Sequence, residues 1–262
     1  MAERALYVYG VVPMTSPADL FHDVQGVDPT QPVTLVSNGE LAAVASSVPL
    51  DEFGEDAIEE NLRNPRWLAD KARAHDRVLA VAVGRTTVLP FRFGAIYRSE
   101  EQVRHLLRER TDFAPALRRL EGTVELGVKA YVDPAALRER LAADDRPSGD
   151  DVSEGRAYLQ RRQLQRKLDE DVGRYTAECA QESHDRLSAA AEEGRVSPLQ
   201  QTGDSQPDRT MIFNGAYLVR AGDEEGFRDA LGALEADYAA HGVRYELTGP
   251  WPPYNFVAAE EL

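Results

Sequence analysis

From Val124 to Thr248 the apolar runs and helical periodicities succeed one another as strand, helix, strand, strand, helix, strand. That order constrains the chain more than any other feature. Consecutive strands tend to neighbour each other and crossovers are right-handed, so few topologies remain. The arrangement that uses all six elements is the ferredoxin-like split βαβ sheet. Its first strand is VELGVKAYV, Val124 to Val132. Val196 to Leu199 reads as a short strand, Met211 to Arg220 as a longer one, and Val243 to Thr248 as the last. Asp223 to Ala240 reads as a helix with Phe227, Ala230, Leu231, Leu234 and Tyr238 on one face, stopped by Gly242.

The other helix is unusually long, from about Arg156 to Glu193, roughly 50 Å at 1.5 Å per residue. Leu164, Leu168, Val172, Tyr175, Cys179 and Leu187 form a narrow apolar stripe, so it overhangs a small sheet or pairs with another helix. Gly173 is a weak point within it. Residues 144–155, DDRPSGDDVSEG, are acidic and carry Pro and Gly, which predicts an exposed loop, and 202–208 a second polar loop.

Upstream, Ala5 to Val12 (ALYVYGVV) is a strand closed by Pro13. Residues 14–32 are mostly loop. Val33 to Ser37 and Leu41 to Val48 flank Asn38-Gly39, a strong hairpin signal because both residues tolerate positive φ. Asn64 and Pro65 open a helix whose Leu68, Ala72, His75, Leu79 and Ala82 share a face, and Gly84 ends it. Thr86 to Leu89 is a strand leading into Phe91-Arg92-Phe93-Gly94. Ser99 caps a further helix with Val103, Leu106, Leu107, Phe113 and Leu117 inward. The expected fold is α+β, with two α/β domains: residues 1–122, and a ferredoxin-like 123–262 that includes the long helix, the acidic loop near 144–155 and the C-terminal GPWPPYNF.

Composition narrows the function. A formal net charge of −15 disfavours nucleic acid and anionic membrane, since phosphate is bound with a basic surplus. A single cysteine, Cys179, leaves no internal disulfide or cysteine-based zinc site. No run approaches the roughly 18 apolar residues of a membrane span, and Met1 to Arg4 lack a signal-peptide layout, so the expected location is cytoplasmic.

The chemical motifs are sparse. The five histidines (22, 75, 105, 184 and 241) form no HExxH pattern, and no nucleophile elbow, Walker loop or GxGxxG fingerprint occurs. His75 alone lies on an apolar helix face, where a structural histidine is preferred over a functional one. Cys179 reads as a core residue rather than a nucleophile. The pairs Asp144-Asp145 and Asp150-Asp151 read as solvated charge, lacking the ligand spacing of a calcium loop. Arg161, Arg162, Arg166 and Lys167, beside Asp169, Glu170 and Asp171, read as an ion-paired helix surface before a protein-binding face. No catalytic residue, metal ligand or cofactor is expected.

What the chain has in abundance is aromatic residues set among prolines. Phe91 and Phe93 follow Pro90, and alternation turns both inward with Arg92 opposite. Trp251, Tyr254 and Phe256 follow or flank Pro250, Pro252 and Pro253, which hold them rigidly. This last segment packs back on the last domain or across the interdomain seam, or else forms an exposed recognition patch. Phe91, Phe93, Trp251, Tyr254 and Phe256 are the candidate protein-contact residues.

Five features in order, LYVYGVV, Trp67 followed by His75 on one helix, VLPFRFGAI, LEGTVELGVK and GPWPPYNF, together resemble the gas vesicle protein L/F family (GvpL/GvpF). The resemblance runs from Leu6 to Phe256. One departure is Leu126, where many relatives are expected to carry an aromatic, typically Trp. The resemblance implies two α/β domains, the second ferredoxin-like, and a non-enzymatic accessory role in forming gas vesicles, the hollow protein shells that give prokaryotic cells buoyancy. It also implies association with the small hydrophobic shell protein and other accessory gas vesicle proteins, with retention as a minor vesicle component left open. No catalytic residue comes with it. The alternative from another class is a ligand-binding or regulatory ferredoxin-like module, since fold alone does not decide function.

Overall fold

In the computed structural model, which describes residues 3–17, 19–144, 154–200 and 209–257, two sheets are each covered by helices. Contacts divide the chain into one unit of Met1–Glu125 with Pro250–Leu262 and another of Leu126–Gly249.

The spine of the first unit is β1 (Arg4–Pro13). It lies between β3 (Leu41–Pro49) and the short β4 (Leu89–Pro90) and β5 (Ile96–Tyr97), with β2 (Val33–Ser37) at the far edge. A strand paired on both sides and covered on both faces is apolar without interruption, and Tyr7 to Val12 are accordingly buried. The β1–β3 register shifts between Val8 and Gly10. The bulge at Tyr9 changes which parity faces which layer. Ala5, Tyr7 and Tyr9 therefore share a core cluster with Val12 rather than Val11. Gly10 is needed there, because a Cβ would sit 2.5 Å from the Leu89 carbonyl oxygen.

Two short helices, α1 (Leu50–Phe53) and α2 (Glu55–Asn61), follow β3. Then α3 (Pro65–Ala82) packs against β1. The Asn64 side chain accepts hydrogen bonds from the Arg66 and Trp67 amides, and Gly84 takes φ 74° beyond the other end. The helix capped by Ser99 ends sooner than its periodicity predicts. It divides into α4 (Glu100–Glu109) and α5 (Phe113–Leu120), because Arg110 leaves helical geometry.

The second unit contains most of β6 (Thr123–Val132), then α6 (Pro134–Asp144), α7 (Glu154–Ala189), β7 (Glu193–Val196), β8 (Thr210–Arg220), α8 (Glu224–Tyr238) and most of β9 (Arg244–Trp251). Strand order is β7-β8-β6-β9, so the strands joined through α6 and α7 flank β8 as a split βαβ arrangement requires. Leu126, Val128, Ala130 and Val132, at the period of a strand, meet Phe213, Tyr217, Phe227, Leu231 and Cys179 in its core. α7 runs through Gly173 without a break. Along its stripe Leu168, Cys179 and Leu187 are buried, Val172 and Tyr175 are half-buried, and Leu164 is exposed. The acidic stretch expected at 144–155 and the polar loop at 202–208 lie largely outside the described residues.

Chain position places GPWPPYNF with the second domain. From Pro250 onward its contacts are instead with the first unit.

Candidate functional site

Side chains from the distinctive motifs meet in the first unit around His75. The Tyr7 hydroxyl, from β1, lies 2.9 Å from His75 Nδ1 and accepts the Gly94 amide at 3.1 Å. Which of the two atoms donates is set by the imidazole tautomer. Rings of Tyr7, Tyr9, Phe93 and Tyr254 surround the imidazole at 5.6–6.5 Å. Nε2 is buried and has no hydrogen-bond partner among the described residues. Burial lowers the His75 pKa to about 4, against smaller opposing effects of Asp76 and the Phe91 carbonyl. Burial likewise pushes the Tyr7 and Tyr254 phenols up. The imidazole is thus neutral at physiological pH, closed to solvent and packed among aromatic rings.

A second layer supports it. Trp67 packs on Phe53 and Phe93 and donates its indole N–H to Glu52 at 2.7 Å. Lys71 pairs with the same carboxylate at 2.8 Å, donates to the Val27 carbonyl at 2.8 Å, and lies over the Phe53 ring.

The C-terminal strap, described from Pro250 to Val257, closes the cluster. Glu125, 4% exposed, accepts the Asn255 amide at 2.8 Å and the Asn255 side-chain N–H at 2.6 Å. The Arg119 guanidinium donates to the Phe256 carbonyl, and the Tyr254 hydroxyl donates to Asp76 at 3.1 Å. Phe256 is fully buried.

The candidate contact residues therefore separate. Phe91 is buried against Phe113, 5.7 Å between rings, and Phe256 is buried in the strap's seat. Phe93 and Tyr254 are half-buried in the His75 cluster, and Trp251 is 45% exposed. Arg92 is exposed. Glu125, Arg119 and Asp76 were not foreseen in this role. The available signal was a carboxylate between Val124 and Leu126 in a mostly apolar strand.

Elsewhere, Cys179 is buried 3.4 Å from the Tyr245 hydroxyl, and burial pushes its thiol up, against nucleophilic use. Arg162, Arg166 and Lys167 are exposed on α7; the Arg161 side chain lies outside the described residues. A solvent-open groove of about 910 Å³ has Leu20, Val24 and Val81 in its lining beside Arg77 and Arg85. Among the described residues no group of three or more His, Cys, Asp or Glu is placed to hold a metal ion. No described helix is long and apolar enough to cross a membrane.

The family described as gas vesicle synthesis protein GvpL/GvpF matches residues 5–258. The chain belongs to the GvpL/GvpF family. It is 38% identical to gas vesicle protein L of Streptomyces sp. (strain CB03234), over 99% of this chain and 95% of that one. It is 32% identical to gas vesicle protein F of the same strain, over 96% and 98%. The crystal structure of GvpF from Anabaena sp. PCC7120 has the same fold, with a TM-score of 0.71 at 22% identity over 97% of this chain and 96% of that one. The five motifs that mark the GvpL/GvpF resemblance are thus far apart in sequence, yet Tyr7, Trp67, His75, Phe93, Glu125 and Tyr254 each take part in one closed cluster.

Proposed function

We propose that this chain is a non-enzymatic accessory protein of gas vesicle formation that binds the small hydrophobic shell protein during assembly, together with other accessory gas vesicle proteins, in the cytoplasm. Family membership supports the general role. The observation that favours shell-protein binding is the setting of Trp251. An indole 45% exposed projects from a proline-framed strap whose neighbours Tyr254 and Phe256 are anchored in the first unit. A rigid aromatic is a good interface anchor, because little entropy remains to be lost on contact. A shell subunit with an apolar gas-facing side aggregates unless that side is covered. A carrier of net charge −15 repels its own copies and keeps such a complex dispersed. In this reading Trp251 leads the contact, the accessible edges of Tyr254 and Phe93 extend it, and Phe91 and Phe256 hold the frame.

The test is co-expression of the shell protein with and without the tagged chain. Soluble, co-eluting shell protein is expected only in company. Trp251→Ala removes an exposed side chain, so the fold should persist. As an interface anchor, its loss is expected to weaken binding roughly 30-fold, about 2 kcal/mol. Unchanged binding and vesicle yield in that variant would exclude Trp251 as the contact.

A further inference from the structure

The cleft that seats the strap has the properties of a receptor for a short peptide. Its walls come from residues before 126, whereas its occupant arrives after 249, at the end of the intervening unit. Among its described residues the strap enters no sheet beyond Trp251. The Tyr254 and Phe256 amides bond locally, to the Pro252 and Pro253 carbonyls at 2.8 and 3.1 Å. The described hold comes from Glu125, Arg119 and Asp76, from packing of Tyr254 beside His75, and from burial of Phe256. From Pro252 onward such a segment can leave without unzipping a β-ladder. The approach to it is Gly249, at φ 104°, followed by Pro250-Trp251-Pro252-Pro253, a stiff run with few amide donors.

We propose that this cleft also accepts the strap of a second copy, so that two chains exchange their last residues reciprocally. The contacts made in trans would be those seen in cis. Only the covalent route differs, which is the condition for a domain swap with a closed, two-fold result. The cis strap competes at an effective concentration on the order of millimolar, so exchange is a minor state of the free chain at micromolar concentration.

Complementary full-length variants test this. Asn255→Ala with Phe256→Ala spoils the strap and keeps the cleft; Glu125→Gln with Arg119→Ala spoils the cleft and keeps the strap. Each alone is expected to be monomeric by light scattering. Mixed at roughly equal concentration they should form a one-to-one heterodimer, since one intact strap and one intact cleft are then both unpaired. Far-ultraviolet circular dichroism checks that each is folded. If the double strap variant does not hold its fold, Phe256→Leu with Asn255→Ala replaces it in the same mixture. A mixture of folded variants that remains monomeric overturns the proposal, as does a strap-spoiled variant that dimerises equally well alone.

Discussion

At the scale of single residues, burial does most to set behaviour, and it acts on His75 and Phe256 in different ways. His75 is neutral in the folded chain, with its pKa lowered to about 4 from 6.5. Below pH 6.5 the unfolded chain takes up a proton that the folded chain refuses. Stability therefore falls as pH drops from 6.5 towards 4 and this contribution levels off below that. Between pH 7 and 4.5 the chain should lose about 2 kcal/mol more than a His75→Phe variant, measured by urea unfolding at each pH. Equal losses would mean that the imidazole is protonated in the folded state. Phe256→Ala should cost about 3 kcal/mol or more, because the seat cannot collapse around the missing ring. The aromatic residues were conspicuous in the sequence, but their exposure was not. Phe91, Phe256 and Trp251 stand in similar proline-rich surroundings, yet two are buried and one is half-open. What separates them is the long-range partner: Phe113 for one, and the seat formed with Arg119 and Glu125 for another. Glu125 and Asn255 are separated by 130 positions, and no local pattern announces such a pair.

Among the elements, those with strong local signals were legible. The Asn-Gly hairpin, the apolar runs of β1, β6 and β8, and the caps at Asn64 and Ser99 depend on near neighbours and appear where expected. Asn64→Ala should cost about 1 kcal/mol by losing the bonds to the Arg66 and Trp67 amides, with little change in the α3 core face, as a denaturation midpoint would report. What escaped were α1, α2, α6 and the two-residue β5. The first two are short, and α2 buries none of its residues, so no apolar stripe marks it. The third runs directly into the acidic stretch, and its hydrophobic periodicity is weak. The division between α4 and α5 was also hidden, since the inward residues continue in phase across Arg110 to Asp112 and only the backbone departs. The bulge in β1 is a tertiary effect of the same kind. Gly10→Ala should destabilise by at least 1 kcal/mol, because a methyl group would press on the Leu89 carbonyl that pairs beside it.

For the whole molecule, the division into two units predicts separable responses. Hydrogen exchange should show Phe256→Ala loosening the amides of β1 and α3 while leaving β8 and α8 protected, and Leu234→Ala should do the reverse. Uniform loosening by either change would mean that the chain opens as one cooperative body. The sequence order announced the strand succession of the second unit, because its strands and helices are consecutive, but set the second strand at Val196 to Leu199 where β7 spans Glu193–Val196. It did not announce that the first unit is completed by residues from the far end of the chain. That completion has a consequence in time. A ribosome adding 5–20 residues per second needs roughly ten seconds to pass from Glu125 to Phe256. Throughout that interval the emerging N-terminal part lacks its last aromatic ring, and Glu125 lacks Asn255. Nascent chains stalled before Pro250 should therefore be cut more readily by protease around β1 and α3 than chains released after termination, so that birth order, as well as equilibrium, shapes when this protein becomes whole.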